Sequence, residues 1–267
     1  MTSGIFCISI DTELLWGRKD LNYSKFIEKT KKEREIIKKI LKLFKKYQIG
    51  ATWAIVGKLY EKDNELWSGI DIINMIKKDK NQEIASHSYS HEDFYKINKK
   101  KAISELNKNV SYSFIYPRNH IKYLNLLKKI GYSAYRGIDE TSISNSIILI
   151  AKLFLSITPK TNKPSQINGL INIPGSMYFL SARGMRKFIP LGLKYKRAVK
   201  GIDKAIKNNE IFHLWFHPID FADNQNEQFS EFEKILVYAN KKKRSGVLKI
   251  EPMIKIAKEF KLKNINS

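Results

Sequence analysis

The chain has 267 residues, enough for one large α/β domain or two small ones, and 43% of them are hydrophobic, which excludes wholesale disorder. No apolar run reaches the ~20 residues that cross a bilayer, and the single cysteine, Cys7, forms no internal disulfide and fits a reducing compartment. The formal charge of +23 invites a nucleic-acid reading, but no nucleic-acid motif accompanies it, so that partner is excluded.

The charge reads instead as solvated helix faces in a Lys-, Ile- and Asn-rich chain, or as attraction to an acidic partner such as a phosphorylated carrier or an anionic membrane surface. No basic, apolar and small-residue leader opens the sequence. The expected location is the cytoplasm, with peripheral association at the inner face of the membrane as its membrane-linked form.

In chain order, strands and helices alternate, which predicts an α/β fold with a mostly parallel sheet. Residues 5–10 form a short, β-branched first strand, and 26–47 carries apolar residues at helical period with lysines opposite. A strand follows over 49–56, a helix over 71–78 and a strand over 83–86. Next come a helix over 98–109, a strand over 113–116 stopped by Pro117, a helix over 120–130 capped by Gly131, and a strand over 134–136. Pro159, Pro164 and Pro174 punctuate 137–180, which reads as an irregular insertion or lid; its apolar run 143–157 reads as a core helix, a lid or a membrane-surface contact. A helix opened by Pro190, an apolar strand over 211–217 and two surface helices, 229–243 and 252–261, complete a single domain over 1–267.

The histidines carry the sharpest chemical signal. Only five occur, and two pairs, His87/His91 and His213/His217, are spaced by four. On a helix or a strand that spacing keeps both rings on one face, where they can share a metal ion. His120 and His213 read equally as satisfied structural residues. The first strand ends in Asp11-Thr12-Glu13, and functional groups of parallel α/β folds gather at such carboxyl ends. The alternative for these acids is a helix cap by Asp11 with Glu13 in the first turn. Together, an oxygen and two imidazoles supply three ligands, with a further acid and a further His as base and acid. That is the parts list of a metal-assisted amide or ester hydrolase.

Four stretches, Ser9-Ile10-Asp11-Thr12-Glu13, Ser86-His87-Ser88-Tyr89-Ser90-His91, Tyr116-Pro117-Arg118-Asn119 and Leu214-Trp215-Phe216-His217-Pro218, resemble in order the motifs of the polysaccharide deacetylase family (carbohydrate esterase family 4, the NodB-homology fold). The resemblance implies a distorted, incomplete (β/α) barrel of about seven strands with a divalent metal at its mouth. His87 and His91 then correspond to the metal-binding pair, Asp11 to the general base and His217 to the acid that protonates the leaving amine. Thr12 replaces the family's usual second Asp, so Glu13 is assigned as the third ligand. Arg118 stands in for the Arg that orients the base, although it follows Pro117 rather than preceding the Pro. Two imidazoles and a carboxylate favour zinc, and cobalt, nickel or iron fit the same ligands.

Trp16 and Trp215 are read as walls of the sugar site, with core packing as the alternative for Trp215. Asn119 is read as a substrate contact, with a backbone N–H of 117–119 on the oxyanion, and Tyr89 and Tyr178 as further hydroxyls. The expected reaction is hydrolysis of the acetamide of an N-acetylated sugar, lipid- or nucleotide-linked, in surface polysaccharide assembly. The alternatives are hydrolysis of another non-peptide linear C–N bond on the same fold, or an inactive carbohydrate-binding relative.

Overall fold

The computed structural model describes residues 3–139 and 146–265. Its first half runs β1 (Gly4–Thr12), α1 (Ile27–Lys31), α2 (Glu33–Tyr47), β2 (Thr52–Ile55), α3 (Ile70–Lys77), β3 (Glu83–Ser86), α4 (Lys99–Asn107), β4 (Ser113–Phe114), α5 (Leu124–Ile130) and β5 (Ala134–Gly137). The second half continues through α6 (Ser146–Phe154), β6 (Ser165–Ile167), β7 (Leu170–Pro174), β8 (Met177–Tyr178), α7 (Leu193–Asn208), β9 (Ile211–Phe216), α8 (Gln225–Arg244), β10 (Leu248–Ile250) and α9 (Met253–Ile265).

The strands join in one sheet in the order β6-β7-β5-β4-β3-β2-β1-β9-β8, with β10 added on β1. Every pairing is parallel except β6 with β7. β1, buried along its whole length, is the axis of the arrangement. One edge pairs with β9; the other is shared, Gly4–Phe6 lying against β10 and Ser9–Thr12 against β2. Strands covered on both faces need apolar side chains throughout, which is why β1, β2 and β9 read as continuous rather than alternating runs. The sheet curls into the incomplete barrel of the NodB-like deacetylase fold.

Helix α2 shows how the outer layer is held. Ile36, Ile37, Ile40 and Phe44 recur at helical spacing and are fully buried, and Phe44 meets Trp53 of β2 edge-on at 6.1 Å. The predicted single helix over 26–47 is broken at Lys32 into α1 and α2. The predicted helix over 120–130 starts only at Leu124, because Arg118, Asn119 and Tyr123 have positive φ (59°, 57° and 62°), which no α-helix accepts.

The largest departure concerns 137–180. The structure makes part of this stretch sheet: β7 lies along β5, and its continuation β8 lies along β9. One run of chain therefore crosses the seam between the two ends of the curled sheet, tied to β9 by Ser176 N–H donating to His213 O and Phe179 N–H to Trp215 O. Residues 143–145 of the apolar run lie outside the described residues, and most of the remainder is α6. Strand β10 escaped sequence reading because it has three residues, of which Leu248 and Ile250 are buried and Lys249 is exposed. No helix among the described residues is long and apolar enough to cross a membrane.

Candidate active site

The carboxyl ends of β1, β3, β5 and β9 meet at one mouth, over a cavity of about 270 Å³ lined by Asp11, Glu13, His91, Arg136, Trp215 and His217 among others. Asp11, at the end of β1, is buried, and both its oxygens accept from Arg136 of β5: Nη1 to Oδ1 at 2.8 Å and Nη2 to Oδ2 at 2.7 Å. Arg136 is itself oriented, Nη1 donating to Ser9 Oγ at 3.1 Å and Nη2 to Asn119 Oδ1 at 2.9 Å, with Trp215 4.3 Å from the guanidinium. Burial alone would raise the Asp11 carboxyl, but Arg136 above all, with His87 and His217, holds it below the ordinary aspartate value.

The expected partner of Asp11 is thereby corrected. Arg118 points instead to Asp20, 3.0 Å away at the surface. It lines the cavity but pairs with Asp20 rather than Asp11. The reason is local: the left-handed turn at Arg118 and Asn119 turns Asn119, not Arg118, towards Arg136. Arg136 was legible as a basic residue ending a predicted strand, but its reach of 125 positions to Asp11 was not.

Two residues on, Glu13 gathers the imidazoles. Its Oε1 lies 3.1 Å from His87 Nε2, 3.0 Å from His91 Nε2 and 3.4 Å from His217 Nε2. Its Oε2 accepts from Arg18 Nη1 at 2.9 Å. Gly17 makes room for this carboxylate, since a Cβ at that position would stand 1.7 Å from Oε2. Burial opposes ionisation of Glu13, yet the neighbouring histidines hold it well below the ordinary glutamate value.

The histidine pair lies on neither a helix nor a strand. His87 extends β3, its N–H donating to Ile55 O, and the chain then turns through positive φ at Ser88 (60°) and His91 (58°). Ser88 Oγ accepts from His91 N–H at 3.0 Å, and buried Glu105 of α4 accepts from Ser90 N–H and Oγ, both at 2.8 Å. With Leu14, Arg118 and Asn119, five non-glycine residues around the mouth have positive φ, strain of the kind that collects at functional sites.

The donor set fits a metal. His87 Nδ1–H donates to Ile115 O at 2.8 Å, which leaves the Nε2 lone pair directed at the Glu13 oxygen. Burial lowers the His91 pKa and so favours the neutral ring a ligand requires. One ligand atom each from Glu13, His87 and His91 lie within 4.8 Å of one another, as do those of Asp11, Glu13 and His217.

His217 has a partner that sequence reasoning missed. Its Nδ1 lies 3.1 Å from Asp220 Oδ2, across the turn opened by Pro218, and Asp220 also accepts from Tyr178 Oη at 2.8 Å. Burial would lower the His217 pKa, but Glu13 and Asp220 together push it up to about 10. Nε2 faces the two acids, 3.4 Å from Glu13 and 4.0 Å from Asp11.

The remaining expected residues divide. Trp215 lines the cavity, stacks on Tyr178 at 4.5 Å and donates its indole N–H to Asp139. Trp16 does not line it; its Nε1–H donates to Trp67 O at 2.9 Å and the two rings meet edge-on at 4.9 Å. Asn119 N–H is taken by Tyr116 O, which leaves the Arg118 N–H as the oxyanion candidate in that turn. His213 is fully buried, bonded to Ser9 Oγ at 2.9 Å, and burial and Arg136 bring its pKa down to about 3, so it is a neutral structural residue. His120 pairs with Asp93 at 2.7 Å, and Tyr89 with Glu61, both apart from the cavity.

Residues 27–113, which include His87 and His91 but neither Asp11 nor His217, match the sequence profile of the family described as polysaccharide deacetylase. The whole fold superposes on that of a Mycobacterium smegmatis protein assigned to the polysaccharide deacetylases, with a TM-score of 0.74 at 11% identity, over 99% of this chain and 92% of that one. The chain is thus similar to the polysaccharide deacetylases in one segment of its sequence and in its fold. A Pseudomonas aeruginosa protein with the same assignment gives a TM-score of 0.68 at 11% identity, covering 96% of this chain and 91% of its own. At such identities the likeness is one of fold. No curated protein matches the chain in sequence.

Proposed function

We propose that this chain hydrolyses the acetamide of an N-acetylated sugar, with Glu13, His87 and His91 holding one divalent metal ion. The observation that carries the reading is the convergence of Asp11, Glu13, His87, His91 and His217 on one cavity floor, with an Arg behind the first and an Asp behind the last. A metal bound there supplies polarisation of the acetamide carbonyl and a water of lowered pKa. Asp11, kept ionised by Arg136, accepts the proton of the attacking water on Oδ2, its oxygen nearer His217. His217 carries its proton on Nε2, is oriented through Nδ1 by Asp220, and gives that proton to the amine as the C–N bond breaks. Trp215 and Asn119 keep Arg136 in place and, with it, shape the sugar pocket.

Two imidazoles and a carboxylate favour zinc as the metal. The charge of +23 supports a substrate that carries phosphate, a lipid- or nucleotide-linked sugar used in surface polysaccharide assembly. The test is metal content of the purified protein by mass spectrometry beside the His87→Ala/His91→Ala double variant, followed by acetate release from N-acetyl sugars. About one equivalent of metal in the wild type, absent from the variant, with acetate released only by the former, is the expected result. A wild type that takes up neither zinc nor cobalt overturns the reading.

A further inference from the structure

The stretch from α6 to the start of α7, residues 146–193, carries an unusual surface. The four most exposed large apolar side chains among the described residues all belong to it: Ile147 (77%), Leu155 (72%), Leu191 (68%) and Phe188 (66%). A monomer scatters exposed apolar residues singly, whereas a cluster marks a surface that something covers. In sequence these four neighbour the members of one small buried cluster, in which Leu149 and Leu153 of α6 pack with Leu180, and Ile189 and Leu193 lie against them. Helix α6 therefore buries one stripe and presents further apolar residues on its other faces, a pattern a water-facing helix does not adopt.

Charge identifies what covers it. Residues 146–202 contain ten Lys and Arg, of which Lys194 and Arg197 are buried, and not one Asp or Glu, in a chain whose acids number 26 overall. Arg183 and Arg186 stand a few residues before exposed Phe188 and Leu191, so cations and apolar side chains share the same turn. An acidic groove on a protein partner would match the cations but not the exposed apolar side chains beside them. An interface with anionic headgroups above an acyl layer matches both at once.

The place in the fold agrees. The chain reaches α6 from the carboxyl end of β5, and reaches the 183–191 turn from the carboxyl end of β8, the same mouth at which Asp11 and His217 lie. Tyr178 connects the two: it packs against the α6 cluster, stacks on Trp215 and donates to Asp220 behind His217.

We propose that α6 and the 183–191 turn form a docking face for an anionic lipid bilayer, inserting Ile147, Leu155, Phe188 and Leu191 among the acyl chains while the surrounding Lys and Arg engage headgroups. The inference rests on surface and charge and does not depend on the deacetylase reading. The experiment is co-sedimentation of the full chain with phosphatidylcholine vesicles, with and without phosphatidylglycerol, for the wild type, Phe188→Ser/Leu191→Ser, Ile147→Ser/Leu155→Ser and Arg183→Glu/Arg186→Glu. Because all four apolar side chains are exposed, thermal melts of the serine variants stay close to wild type. Binding to the anionic vesicles only, weakened about tenfold or more by each serine pair and by the charge reversal, is expected. Three outcomes overturn the proposal: no binding to anionic vesicles at low salt, binding abolished by salt yet indifferent to both serine pairs, or a concentration-dependent dimer that the serine pairs dissolve without any vesicle binding.

Discussion

The two sides of the cavity floor are held by opposite means. On the Asp11 side, one carboxylate meets one guanidinium in a two-point pair, and the guanidinium is fixed in turn by Ser9, Asn119 and the Trp215 ring. On the Glu13 side, three imidazole Nε2 atoms crowd a single oxygen within 3.4 Å, and His91 Nδ1 has no hydrogen-bond partner among the described residues. The first is a completed ion pair whose charges cancel locally. The second directs the lone pairs of His87 and His91 at one point, which is how a cation site is built. The contrast teaches that Asp11 is preorganised by the protein alone, while the neighbouring Glu13 is shaped for a ligand.

The sharpest way to break this contrast is Asp11→Asn. It removes the proton acceptor and leaves the Glu13 cluster intact, so acetate release should fall by about 10²–10⁴-fold with metal content unchanged. Loss of metal in this variant would show that the two sides are not separate.

Next in size is the choice between the two arginines. Arg136→Met strands a buried carboxylate and should cost about 3–5 kcal/mol in urea unfolding. Arg118→Met interrupts a partly exposed pair with Asp20 and should cost no more than about 1 kcal/mol. Equal costs would contradict the assignment of Arg136 as the partner of Asp11.

On the metal side, Gly17→Ala pushes a methyl against Glu13 Oε2 and should weaken metal affinity about 10- to 100-fold, measured by chelator competition. Unchanged affinity would mean that Glu13 does not need the place it occupies.

A separate test probes Glu33, buried beneath the site at the start of α2. Burial raises its pKa from 4.5 to about 8, and its Oε1 has no partner among the described residues. The folded state thus keeps a proton that the unfolded chain releases above about pH 4.5. Stability of the metal-free protein should fall as pH rises towards 8, with a slope up to about 1.4 kcal/mol per pH unit. Glu33→Gln should remove that slope and exceed the wild type in stability at pH 8. Parallel pH profiles of the two proteins would refute a protonated Glu33.

Much of the site was legible because its parts are local. Asp11 and Glu13 end a strand that any apolar run before an acid announces, and His87 and His91 are four residues apart. What was misread depends on contacts across the chain. Arg118 was chosen because it sits beside the motif proline, whereas Arg136, one strand later, makes the bond. Trp16 follows the first motif directly but turns to Trp67, 51 positions away.

Taken by itself, the sequence determined the alternation of strands and helices, the end of β1 as the place for the acids and the histidine pair as the candidate metal ligands. These follow from periodicity and short spacing, which act through neighbouring residues. Only the tertiary structure decided that Arg136 rather than Arg118 faces Asp11, that Asp220 supports His217, and that residues 170–178 cross the barrel seam. Each of these depends on where parallel strands far apart in the chain place their ends. A strand pair is set by packing and ladder hydrogen bonds over the whole sheet, and no local pattern encodes which side chain then meets which.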